Sequence, residues 1–252
     1  MAIITISSNT PIGFKAMGWT IPPPKKSTKT ASEFLEERLE KVNWLIQQGF
    51  LKSEQIIKAM LKVPREEFTP EMYKDYTYLE VPLPIPGQEA TISCPHSYPM
   101  FYEALELKKD DKFLEIGTGS GYGAAVAREI VGAHGKVITI EIDQKTYEFA
   151  MNNLQKLGYK DVLIILGDGT LGYPNEAPYD KICITAACPK MPPPLIEQLK
   201  TGGNLIAPVG HPNYPQDLIL LKKKQNGSIE ISSVEKVLYV PLKGKYGFNA
   251  YI

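Results

Sequence analysis

The chain has 252 residues, 43% hydrophobic and 22% charged, which suits one large domain or one domain with appendages and excludes global disorder. Lys plus Arg and Asp plus Glu both number 28, so no overall charge draws the protein to nucleic acid or to an anionic membrane surface. Three cysteines, Cys94, Cys183 and Cys188, without CxxC spacing argue against a disulfide framework and a structural zinc site, and for free thiols in a reducing compartment. No apolar run approaches the roughly 18–20 residues needed to span a bilayer. The start MAIITISSNTPIG lacks a basic segment before its apolar stretch, so no secretory signal is expected. The expectation is a cytoplasmic protein with no membrane or nucleic-acid partner and no metal.

Residues 1–29 read as an N-terminal extension. Pro22 to Pro24 favour extended backbone. A terminus of this kind reads either as a disordered tail or as an arm that docks on a neighbour and makes a homo-oligomer, and Phe14, Met17 and Trp19, costly to leave in water, support docking. A helix begins after Thr30, with Glu33 placed for a capping box and Gly49 for a stop. Ser53 is placed to cap a second short helix that Pro64 ends. Residues 65–100 are irregular and proline-rich, a length of loop that is usually functional or disordered.

From residue 112 the pattern alternates. KFLEI (112–116), KVITIEI (136–142), VLIIL (162–166), DKICITA (180–186) and GNLIAPV (203–209) read as strands. The helices SGYGAAVAREIV (120–131), DQKTYEFAMNNLQKLG (143–158) and PPPLIEQLK (192–200) come between them. This is an open, mostly parallel α/β sheet. DLILLKKK (217–224) and SSVEKVLYV (232–240) form an antiparallel hairpin at its edge.

Gly117, Gly119 and Gly121 lie between the first strand and its helix, where doubly wound folds bind ligands. The dinucleotide pattern GxGxxG fails, because Tyr122 stands at its third glycine, and no GK[ST] follows to make a phosphate loop. What stands here is ExGxGxG. Glu115 sits poorly beside a pyrophosphate but suits an ammonium group. Glu141 ends the next strand, where a carboxylate accepts from ribose hydroxyls. Asp168, in the GDG that ends the third strand, is placed to accept from an adenine amino group. Three acids at successive strand ends describe S-adenosylmethionine better than NAD.

At these residues the sequence resembles the protein-L-isoaspartate O-methyltransferase family. The resemblance spans about residues 30–242 and rests on VPREEF (63–68), ATISCPH (90–96), LEIGTGSGYGAAVA (114–127), GDGTLGYPNEAPYDKICITAACP (167–189), QLKTGGNLIAPVG (198–210) and VLYVPL (237–242). It implies a Rossmann-like S-adenosylmethionine-dependent methyltransferase fold in a single domain, 30–252. Residues 30–100 would carry the N-terminal helices and substrate loop, and 101–252 the cofactor-binding core. It implies methyl transfer from S-adenosylmethionine, leaving S-adenosylhomocysteine, to the α-carboxylate of isoaspartyl residues in damaged proteins. The ester then closes to a succinimide, whose hydrolysis returns some normal aspartyl. Cofactor contacts are expected from Glu115, Ile116, Gly117, Thr118, Gly119, Gly121, Glu141, Ile142, Gly167, Asp168 and Gly169. Ser93 is the expected catalytic residue, orienting the reacting carboxylate through its hydroxyl. Thr91, Ile92, His96, Ala186, Ala187, Val240 and Pro241 are expected at the substrate, the last four offering backbone groups. A carboxylate is already nucleophilic at neutral pH, so no general base is required.

The sequence departs from the family pattern around this loop. Glu89 stands where the family commonly has Gln, and Ser97-Tyr98-Pro99 follow His96. Cys94, next to Ser93, suggests mild sensitivity to thiol alkylation. The competing readings are an RNA methyltransferase on the same fold, for which only Lys222–Lys224 speaks, and a cofactor-binding adaptor without catalysis.

Overall fold

The computed structural model describes residues 20–248. The N-terminal residues Phe14, Met17 and Trp19 lie outside them. Helix α1 (Ala31–Gln47) opens as expected: the Thr30 hydroxyl accepts from the Glu33 N–H, and the Glu33 carboxylate accepts from the Thr30 N–H. Gly49 leaves the helix with φ +79°, a left-handed conformation that glycine adopts without strain. Helix α2 (Glu54–Lys62) is not capped by Ser53. The Ser53 hydroxyl donates instead to Glu103, so a tertiary bond displaces the local one.

Residues 65–100 are more ordered than their prolines suggest. Two 3-10 helices, Arg65–Phe68 and Glu71–Tyr76, precede a two-stranded antiparallel ribbon of β1 (Leu83–Pro84) and β2 (Thr91–Ile92). Helix α3 (Ser97–Leu105) follows, and Pro99 sits in its first turn, where a missing N–H costs little.

The main sheet has the order β5-β4-β3-β6-β7-β8-β9. Its strands are β3 (Lys112–Ile116), β4 (Lys136–Glu141), β5 (Leu163–Leu166), β6 (Tyr179–Ile184), β7 (Leu199–Val209), β8 (Gln216–Lys223) and β9 (Ile229–Val237). β3 to β7 are parallel, and β8 and β9 are antiparallel additions. Helices α4 (Tyr122–Val131), α5 (Gln144–Lys156) and α6 (Pro193–Gln198) connect the parallel strands. Strand residues alternate between two cores. Phe113, Val137, Cys183 and Ile206 join residues of α1 to α5, while Leu114, Ile138, Ile182 and Leu205 join Leu195 of α6. Two-sided burial explains the near-continuous apolar strands.

Two stretches differ most from the sequence reading. Leu199 and Lys200 leave the expected helix and begin β7. β9 starts earlier and stops at Val237, so 238–241 leave the sheet. There Ala187 donates to the Val240 carbonyl at 2.8 Å, and Leu242 donates to the Ala187 carbonyl at 2.7 Å. This detour carries Val240 and Pro241 over the ends of the parallel strands.

Candidate active site

Strand order reverses at β3, which has β4 on one side and β6 on the other. Backbone loops diverge there and open a crevice at the strands' carboxyl ends. A cleft of about 510 Å³ occupies this position. Its walls come from the Gly117–Ser120 loop, the end of β4 through Asp143, Gly169, Thr185 and Ala186, the loop around Thr91–His96, and the segment 237–243.

The glycine loop is held from both sides. Gly117 has φ +95°, and a Cβ there would stand 2.4 Å from the Thr185 hydroxyl, which donates to the Gly117 carbonyl at 2.7 Å. Gly119 has φ +57°, and its N–H donates to Glu141 at 3.1 Å. The Glu141 carboxylate also accepts from the Ile142 and Asp143 N–H groups at 2.9 and 3.1 Å. Burial still pushes the Glu141 carboxyl above its ordinary range against these three donors.

Glu115 is buried in the cleft wall and accepts from Thr139 at 2.7 Å. Burial raises its carboxyl to about 8, with the Glu141 charge adding to the shift and Thr139 opposing it. Gly123 matters for this placement: a Cβ there would come within 2.3 Å of the Glu115 carboxylate oxygen. The sequence reading missed Gly123, although its place in the same glycine-rich run was the available signal.

Ser93 lines the cleft beside Thr91, Cys94 and His96. The His96 ring lies tilted against Phe50 with centroids 5.2 Å apart, and its Nδ1 lies 2.5 Å from Glu80. Burial raises the Glu80 carboxyl, but His96 and Lys41 outweigh this and hold it below its ordinary range. Among the described residues, Glu80, Cys94 and His96 form one group of metal-ligand type, with donor atoms within 4.8 Å of one another. Lys41 and His96 already occupy that carboxylate. Asp143 and Thr146, also missed, join the cleft to the loop above it: Thr146 donates to the Pro86 carbonyl, and the Gln88 N–H reaches Asp143. Glu89 stands at the mouth, exposed and left-handed at φ 58°.

Most expected site residues line this cleft, but several do not. Ile92 is in the apolar core, 1% exposed, paired with Leu83. Gly121 instead lets α4 approach α5, since a Cβ there would press on Leu154 and the Ala150 carbonyl. Gly167 and Asp168 are outside the cleft wall. The Asp168 carboxylate accepts from the Thr170 N–H and hydroxyl and from the Lys245 N–H at 2.8 Å, which leaves one of its roughly four acceptor positions free. Ala187 is outside the cleft wall, with its N–H bonded to Val240 and its carbonyl accepting from Leu242. The surroundings of Cys94 argue against its expected reactivity. It is 5% exposed, and burial pushes its thiol up to about 12, far from the thiolate that alkylating agents need.

Strand order, glycine loop and strand-end acids define the class: a Rossmann-like methyltransferase fold. The family model for protein-L-isoaspartate (D-aspartate) O-methyltransferase matches residues 36–247. The chain is 53% identical to the protein-L-isoaspartate O-methyltransferase of Methanococcus aeolicus over 82% of this chain and 94% of that protein. It is 44% identical to the one from Hyperthermus butylicus over 89% of this chain and 95% of that one. A solved protein-L-isoaspartate O-methyltransferase superposes with a TM-score of 0.76 at 33% identity, covering 83% of this chain and 67% of that one. The chain belongs to the protein-L-isoaspartate (D-aspartate) O-methyltransferase family, as its motifs implied.

Proposed function

We propose that this chain repairs damaged proteins by transferring a methyl group from S-adenosylmethionine to the α-carboxylate of L-isoaspartyl residues. The observation that carries this reading is that Ser93, Glu115 and Glu141 open onto one cleft. The cleft suits the cofactor: a buried carboxyl at Glu115, a carboxylate at Glu141, and a glycine cradle where a Cβ at Gly119 would approach the Thr91 carbonyl. Bound there, S-adenosylmethionine supplies an electrophilic methyl group. Glu115 takes the ammonium end. Glu141 has about four acceptor positions. Three are used by backbone N–H groups, which leaves one for a ribose hydroxyl.

Ser93 donates to the substrate carboxylate and aims one oxygen at the methyl group without neutralising it. Ala186, Val240 and Pro241 serve the peptide around it, which suits an enzyme that accepts many flanking sequences. Apolar residues of the wall, Ile116 and Met100 among them, exclude water from the nucleophile. The released ester closes to the succinimide without further help.

The RNA reading loses its basic cluster. Lys222 pairs with Glu106, Lys224 pairs with Glu230, and Lys223 donates to the Ile196 and Leu199 carbonyls. We read 30–252 as one methyltransferase unit with a preceding extension that supports self-association. Three buried free thiols support a cytoplasmic setting. Among the described residues no helix is long and apolar enough to cross a membrane.

Ser93→Ala tests the reading. It should lower kcat on an isoaspartyl peptide about 10- to 100-fold, the worth of one hydrogen bond to a charged group. Cofactor affinity should stay unchanged. Full turnover in this variant would remove Ser93 from the mechanism.

A further inference from the structure

Arg65 begins the 3-10 helix Arg65–Phe68 and is 1% exposed. A guanidinium stays charged and carries five N–H donors in a fixed fork. Here Nε donates to the Thr77 carbonyl at 2.7 Å, and Nη2 donates to the Ser93 carbonyl at 2.6 Å. The group lies 5.5 Å from the Tyr98 ring centre and 5.2 Å from that of Tyr122. Nη1 is buried and has no hydrogen-bond partner among the described residues. The neighbouring acids serve other cations: Glu66 pairs with Arg38, and Glu67 with Lys74 and Lys156.

A buried cation without an anion is unfavourable, and an apolar side chain of similar volume would pack the same space at lower cost. Packing therefore does not account for Arg65. Its strongest tie to the cleft is Ser93, whose carbonyl it holds. Ser93 and Tyr98 both line the cleft, so the guanidinium stands directly behind the wall. Among the described residues no ion pair reaches Arg65, and an anion placed at Ser93 would supply its counter-charge.

We propose that Arg65 is a positioning residue for methyl transfer: it fixes the Ser93 peptide, and so the direction of the Ser93 hydroxyl, and presents a positive charge behind the substrate carboxylate. The proposal rests on the reading of Ser93 given above. Lysine keeps the charge but not the fork, so it cannot hold two carbonyls in fixed geometry. Glutamine keeps a donor and loses the charge.

The test compares Arg65→Lys, Arg65→Gln, Ser93→Ala and the Arg65→Lys/Ser93→Ala double variant in the full chain. Kinetics on an isoaspartyl peptide are read beside calorimetric affinity for S-adenosylhomocysteine. Arg65→Lys should lower kcat/KM for the peptide about 10- to 100-fold and change cofactor-product affinity less than about 3-fold. In the Ser93→Ala background the same change should cost less than about 3-fold, because its target is gone. Arg65→Gln should raise the peptide KM beyond that of Arg65→Lys. Equal losses in both backgrounds, a parallel fall in S-adenosylhomocysteine affinity, or failure of both single variants to fold would make Arg65 structural and overturn the proposal. Loss in Ser93→Ala with full activity in Arg65→Lys would sink this inference alone. Full activity in Ser93→Ala would sink the Ser93 reading and this inference with it.

Discussion

Glu115 is held between two protonation states by its surroundings. Burial places its carboxyl at about 8 in the unliganded protein, so at pH 7 it is mostly neutral. A folded-state value above the unfolded 4.5 means that its contribution favours the fold below that range and is lost as pH rises toward 8. An ammonium group bound beside it, as proposed, would reverse the preference and drive the proton off. Calorimetry of S-adenosylhomocysteine binding in buffers of different ionisation enthalpy should therefore show close to one proton released at pH 7 and almost none at pH 9. Heats independent of the buffer at pH 7 would mean that Glu115 does not meet the ammonium group. The acid itself was legible in ExGxGxG, because its spacing from the glycines is local. Its burial, and the need for Gly123 behind it, were not, because both depend on α4 folding back over β3.

At the scale of elements, what could be read was what neighbours in sequence decide. Thr30 and Glu33 cap each other across one turn, and the alternating strands announced a parallel sheet. Where a distant partner competes, local signals gave way. Ser53 turned to Glu103, and the apolar end of VLYV left β9 to bond Ala187. The same effect hid the order within 65–100, whose 3-10 helix Glu71–Tyr76 fastens the incoming chain through Asp75. Ser27 and the Thr28 hydroxyl donate to this carboxylate, and Lys25 pairs with it at 2.8 Å. Burial raises the Asp75 carboxyl, but these partners outweigh it and hold it well below the usual carboxylate range. A depressed value stabilises the fold above the unfolded range near 4, and the benefit is lost as pH falls through the folded value. Asp75→Asn should thus lower the melting temperature by about 3–8 °C at pH 7, from the loss of charged hydrogen bonds. The deficit should shrink at pH 2–3, and a deficit independent of pH would contradict this role.

On the scale of the whole molecule, the loop around Thr91–His96 and the loops that follow β3 and β4 belong to different parts of the chain but line one cleft. One core joins α1 and α2 to β3, β4 and β6, so the two parts are packed as a unit. Because residues 25–28 hold Asp75, the extension is better tested by removing residues 1–19 than the whole segment. Light scattering should show fewer subunits per particle for that truncation if Phe14, Met17 and Trp19 support self-association. An unchanged number of subunits would count against the arm as an interface.

The central claim is substrate identity, and a labelled methyl group reads it directly. Methyl transfer from labelled S-adenosylmethionine would be measured on an isoaspartyl peptide and on the same peptide with normal aspartate. Base-labile label on the isoaspartyl peptide alone is the result expected. No label on either peptide, with cofactor binding intact, would contradict the account and place the fault in the loop from Glu89 to Pro99.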